Sequence, residues 1–169
     1  IATGHAHIDT AWLWPIRETR RKCIRTFANV LRLMERKDSQ RFCFTATQPQ
    51  QYQWVMQDAP ALFKQIDQRI KEGRWEVSGA MWIEPDCNVP SGEALIRQIL
   101  HAAKFNIEHF GEEHQPSFLF LPDTFGFPAS LPQIMKLAGI NLFITNKLSW
   151  SQTTNFPFMT FRWRGIDGT

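Results

Sequence analysis

Short apolar runs alternate with longer stretches of helical period along this chain. In Arg17–Lys37, the residues Ile24, Phe27, Leu31 and Met34 recur at 3.6-residue spacing and predict an amphipathic helix. Pro60–Glu72 predicts a second helix, with Leu62, Ile66 and Ile70 four apart and Gly73 as its C-terminal cap. Ser91 is placed to cap a long helix to about Phe110, with Leu95, Ile99 and Ala103 on one face and Gly111 beyond its end. Ser130–Ala138 predicts a short helix stopped by Gly139. Between these lie strand-like runs: the remnant Ile1–Thr3, then Arg41–Thr47, Trp75–Ser78, the continuous apolar Ser117–Leu121, and Asn141–Thr145. Strand and helix in alternation predict an α/β fold with a parallel sheet and right-handed crossovers. Five such steps are too few for a complete barrel of about 250 residues. The chain opens on its first strand and closes on Gly165-Ile166-Asp167-Gly168, a turn that should lead into a further strand. The expectation is a fragment, residues 1–169, of a larger barrel-like domain.

Composition narrows the class without choosing a function. Hydrophobic residues at 43% and charged residues at 21% are ordinary globular values and argue against disorder or a coiled coil. No apolar run approaches the ~20 residues that span a membrane, and the first residues lack the pattern of a signal peptide. A net charge of +3, evenly spread, does not point to nucleic acid. Cys23, Cys43 and Cys87 match no zinc-ribbon or CxxC spacing, so free thiols in a reducing compartment are expected.

Chemistry in parallel α/β folds gathers at the carboxyl ends of the strands. There the chain places His5-Ala6-His7-Ile8-Asp9, then Gln48-Pro49-Gln50-Gln51, then Gly79, Trp82, Glu84 and Asp86, then Pro122-Asp123-Thr124-Phe125-Gly126, then Asn146 and Lys147. On an extended chain residues i and i+2 point the same way, so His5, His7 and Asp9 share one side. Imidazole with carboxylate suits zinc or a related divalent ion. A lone HxH is often a pair of satisfied polar residues, whereas HxHxD closing a first strand is more specific. Asp123 is either a turn-forming aspartate or a nucleophile and further metal ligand, its charge favoured beside a cation. Lys147 reads as a surface lysine, although its position could add to the field of the site. Trp12, Trp14, Trp82, Phe125 and Trp150 fall near strand ends, either as packing or as a platform for the apolar face of a sugar. His101, His109 and His114 read as solvated.

The segments HAHIDTAWLWP, MWIEPDCNVPSGEALIRQ, FLPDTFGFPASLPQIM and ITNKLSW resemble, in order, the catalytic domain of glycoside hydrolase family 38. These are the class II α-mannosidases, and the similarity is strongest to their cytosolic and bacterial branch. The resemblance implies an incomplete, seven-stranded β/α barrel of which this chain is about the first half. It implies that His7, Asp9 and Asp123 ligate zinc (Zn2+), and that Asp123 is also the nucleophile. It implies that Trp12 and Phe125 contact the bound sugar, and that Lys147 stands where some relatives carry Arg. His5 matches no ligand, contrary to the spacing argument, and Glu84 and Asp86 receive no role. In relatives the remaining His ligand and the acid/base Asp lie C-terminal to this stretch.

The resemblance thus implies a zinc-dependent retaining α-mannosidase in the cytoplasm. Its partners would be a mannose-containing oligosaccharide, the rest of the catalytic domain and a further copy in a homo-oligomer, with no nucleic acid and no membrane. Two other readings stay open: a metal-dependent amidohydrolase or polysaccharide deacetylase, and a truncated sugar- or metal-binding piece.

Overall fold

The computed structural model describes residues 3–39 and 41–169. Ten principal elements follow in order: β1 (Gly4–His5), α1 (Ile16–Met34), β2 (Phe44–Ala46), α2 (Pro49–Asp58), α3 (Pro60–Lys71), β3 (Trp75–Val77), α4 (Gly92–Phe110), β4 (Phe118–Phe120), α5 (Leu131–Leu137) and β5 (Leu142–Ile144). The strand expected at residues 1–3 lies largely outside the described residues, and β1 begins at Gly4.

Among the described residues all strand pairings are parallel, but they form two small sheets rather than one. β1, β2 and β3 pair in that order, with Gly4 opposite Phe44 and Phe44 opposite Trp75. β4 pairs with β5, Leu119 opposite Phe143. With strands of two or three residues, the two ladders meet through side chains: the His5 ring packs edge-on against Phe120 at 5.1 Å.

Local chemistry explains most helix limits. Ser91 Oγ accepts from the amide of Ala94 at 3.2 Å and starts α4. Ile66 and Ile70 are buried as their spacing predicts, and Leu62 packs against the same core. On α4 the buried stripe runs through Leu95, Ile99, Ala102 and Phe105, so Ala102, not Ala103, faces inward. Helix α2 is not among the helices that the apolar period predicts. Pro49 sits at the first helical position, where its missing N–H costs nothing. Its buried side combines Tyr52 and Val55 with the polar Gln51, so the apolar period is too faint to see.

Two cores result. The first holds Phe27, Phe44, Tyr52, Val55, Ile66 and Trp75 between the three-stranded sheet and α1, α2 and α3. Trp75 is fully buried, its ring 4.7 Å from Phe44 and 5.2 Å from Phe27. Its Nε1 donates to the Tyr52 hydroxyl at 2.7 Å. The second core holds Met81, Leu95, Leu119, Leu121 and Leu131 around the two-stranded sheet. Cys23, Cys43 and Cys87 are free, as expected. Among the described residues no helix is long and apolar enough to cross a membrane. His109 is not simply solvated: its ring lies 4.4 Å from Phe105 on α4.

Candidate metal centre

The carboxyl ends of β1, β3 and β4 converge on His7. Its Nε2 stands 3.3 Å from Asp9 Oδ1 and 3.4 Å from Asp123 Oδ2. One ligand atom each from His7, Asp9 and Asp123 lie within 4.8 Å of one another. On a tetrahedral zinc ion with bonds of about 2.0–2.1 Å, ligand atoms stand about 3.3–3.4 Å apart. The two measured separations match that spacing, and one nitrogen with two carboxylates is a donor set zinc accepts. The three residues therefore fit a zinc ion.

His5 does not join them. β1 ends at His5, so the chain is no longer a regular strand between His5 and Asp9, and the i, i+2 alternation lapses. The His5 ring packs on Phe120, with Nε2 3.7 Å from Glu84. Burial lowers its pKa, partly opposed by the charge of Glu84. His7 shifts the other way, up to about 9, chiefly through its hydrogen bond with Glu84.

Glu84, the acid without a role in the sequence, is the hub of this end of the fold. Its Oε2 is 2.5 Å from His7 Nδ1, and its Oε1 accepts from the Thr47 hydroxyl. Its own amide donates to Gln48 Oε1 at 3.1 Å. Gln48 and Gln51 both donate to the carbonyl of Ile8, at 3.0 and 2.9 Å, and Thr10 donates to Gln48 at 2.6 Å. The segment that carries His7 and Asp9 is thus tied through buried polar side chains to the loops after β2 and β3. Gln48 and Gln51 carry no local signal of this role, because the carbonyl that Gln48 holds lies 40 positions away in the chain.

Lys147 corrects the expectation of a surface lysine. Its side chain is 5% exposed, and Nζ lies 2.5 Å from Asp123 Oδ1. The ammonium also sits 3.4 Å from the Trp150 ring centre and 4.4 Å from that of Phe125. It balances negative charge where Asp9, Glu84 and Asp123 gather. Trp12 and Phe125 are exposed, at 57% and 75%. Trp14 and Trp82 take packing roles, donating to Thr19 Oγ1 at 2.9 Å and Gln50 Oε1 at 3.2 Å. Asp86 turns back on its own loop, accepting from the amides of Asn88 and Val89.

Comparison with known proteins identifies the family of the chain. The model of the glycosyl hydrolases family 38 N-terminal domain matches residues 1–169. The human protein named alpha-mannosidase 2C1 is 48% identical over 168 residues, 99% of this chain and 16% of that protein. The alpha-mannosidase of Saccharomyces cerevisiae is 43% identical over 167 residues, 98% of this chain and 15% of that protein. The crystal structure of an alpha-mannosidase from Enterococcus faecalis V583 superposes with a TM-score of 0.74 at 24% identity, covering 85% of this chain and 16% of that one. A 4-alpha-glucanotransferase from Thermococcus litoralis superposes at 0.63 with 15% identity, covering 88% of this chain and 22% of that one. The two structural likenesses speak to the fold alone. The chain spans about a sixth of the length of the curated relatives it matches.

Proposed function

The chain belongs to glycosyl hydrolase family 38, and from that premise we propose that its parent protein is a zinc-dependent retaining α-mannosidase acting on mannose-containing oligosaccharides. One observation carries the chemistry: His7, Asp9 and Asp123 meet at the spacing of zinc ligands, and of the two carboxylates Asp123 is the one taken as the nucleophile that attacks carbon. Zinc bound there supplies an electrophilic anchor for hydroxyl oxygens of the sugar.

The residues of the chain divide the remaining work. His7 and Asp9 hold their side of the cluster fixed. Asp123 attacks the anomeric carbon, a C–O bond to the carboxylate forms, and the bond to the leaving oxygen breaks. A carboxylic acid from another part of the protein protonates that oxygen, then takes a proton from the water that releases the sugar with retained configuration. Lys147 orients Asp123 through Oδ1. The exposed rings of Phe125, in contact with Lys147, and of Trp12, three residues after Asp9 in the chain, supply surfaces for the apolar face of the sugar.

The two sheets would be successive arcs of the seven-stranded β/α barrel, with residues 1–169 its N-terminal part. Trp150, Phe158, Met159 and the half-exposed strand β5 offer apolar surface for the rest of that domain. A cytoplasmic location fits the three unpaired cysteines.

A fluorinated mannosyl fluoride tests the mechanism in the full-length protein, because it lets the covalent adduct accumulate. The label should fall on the peptide containing Leu121-Pro122-Asp123-Thr124-Phe125, and Asp123→Asn should lose activity by several orders of magnitude. A label on Asp9 or Asp86, or release of product with inverted configuration, would overturn the assignment.

A further inference from the structure

We infer that Glu84 is a positioning residue of the metal centre, fixing His7 so that Nε2 faces the ion with its lone pair free. The inference rests on the zinc site proposed above and extends it to a residue outside the three ligands.

The geometry carries it. A carboxylate only accepts hydrogen bonds, so at 2.5 Å from His7 Nδ1 it holds the imidazole proton on that nitrogen. Nε2 is then the nitrogen left to donate electrons, and it is the one that stands 3.3 and 3.4 Å from Asp9 and Asp123. Carboxylate partners of this kind orient metal-bound histidines and raise their basicity.

Burial sharpens the point. The Glu84 side chain is 3% exposed, and a buried carboxylate is costly unless it is paired. Among the described residues its ion pairs are with His7 and His5 rather than with Lys or Arg. Thr47 donates to the second oxygen and fixes the plane of the carboxylate. The main chain of Glu84 is tied to Gln48, which also holds Ile8 between the two ligands His7 and Asp9. The same network that sets the acid sets the ligand segment.

The test is the zinc dissociation constant of the full-length protein, measured by competition with a chromophoric chelator. Glu84→Ala should weaken zinc about 10- to 100-fold. Glu84→Gln should fall between wild type and Glu84→Ala, because an amide oxygen can accept from Nδ1–H without the charge. Thr47→Val, which keeps shape and removes only the anchoring hydroxyl, should weaken zinc in the same direction by less. In zinc-loaded crystals of Glu84→Ala the His7 ring should turn from its wild-type orientation. If Glu84→Ala fails to fold, Thr47→Val and Glu84→Gln decide. Unchanged zinc affinity in the Glu84 and Thr47 variants, while His7→Ala abolishes binding, overturns the positioning role and leaves the metal site standing. Unchanged affinity in His7→Ala as well overturns both.

Discussion

Alanine at Gly79 should damage the fold and the metal centre together, whereas alanine at Gly73 should cost only backbone strain. Both glycines have positive φ, +94° at Gly79 and +69° at Gly73, where a side chain costs about 1–2 kcal/mol. Their surroundings differ. A Cβ on Gly73 would meet nothing within 4 Å, but on Gly79 it would lie 2.6 Å from the Thr47 carbonyl oxygen and 2.8 Å from Thr47 Cβ. Those atoms belong to the chain just beyond β2 and cannot rotate away, so the ends of β2 and β3 must part. Forced overpacking of this kind adds about 1–3 kcal/mol. Gly79→Ala should therefore lose about 2–5 kcal/mol and Gly73→Ala about 1–2 kcal/mol. Because Thr47 anchors Glu84, and Glu84 contacts His7, Gly79→Ala should also weaken zinc. Urea denaturation of the two variants and wild type, followed by chelator competition, reads both effects. Equal destabilisation, or zinc affinity in Gly79→Ala equal to wild type, would refute the coupling of strand spacing to the site.

Other expectations concern the core, the thiols and the surface. Tyr52→Phe strands the buried Nε1–H of Trp75 without its acceptor, so urea denaturation should show a loss of about 1–3 kcal/mol; a loss under about 0.5 kcal/mol would mean the pair contributes little. Burial pushes the Cys23 and Cys87 thiols up to about 12, so in the native protein a thiol reagent near neutral pH should find Cys43 well before either; prompt reaction of all three would contradict the packing. The two-point contact of Arg20 with Asp58, at 2.7 and 2.5 Å, holds the Asp58 carboxyl below its usual range. Its contribution is present above the unfolded carboxyl value and fades as pH falls through the folded one, so Asp58→Asn should flatten that part of an acid titration, by no more than about 1 kcal/mol for so exposed a pair.

The helices with strong apolar period were legible in sequence: Ile66 and Ile70 on α3, and Leu95 and Ile99 on α4 behind Ser91, fall where their spacing puts them. Helix α2 was not, because the polar Gln51 interrupts its buried face, where it serves the loop after β1 together with the preceding Gln48. At the site, residue types at strand ends pointed to the right region, but local spacing could not sort His5 from His7. That separation depends on β1 ending at His5 and on contacts with Glu84 and Asp123 in the loops after β3 and β4. Glu84 and Lys147 were illegible for the same reason. Glu84 meets His7 across 77 positions of chain, and the burial of Lys147 arises only once Asp123, Phe125 and Trp150 surround it.

The proposed chemistry stands or falls with zinc held by His7, Asp9 and Asp123. An anomalous difference map recorded at the zinc absorption edge, from crystals of the full-length protein, tests it most directly. One peak is expected, at about 2.0–2.2 Å from His7 Nε2 and from a carboxylate oxygen of Asp9 and of Asp123. A zinc-supplied crystal with no peak among those three residues, or with the ion ligated by His5 in place of His7, would contradict it.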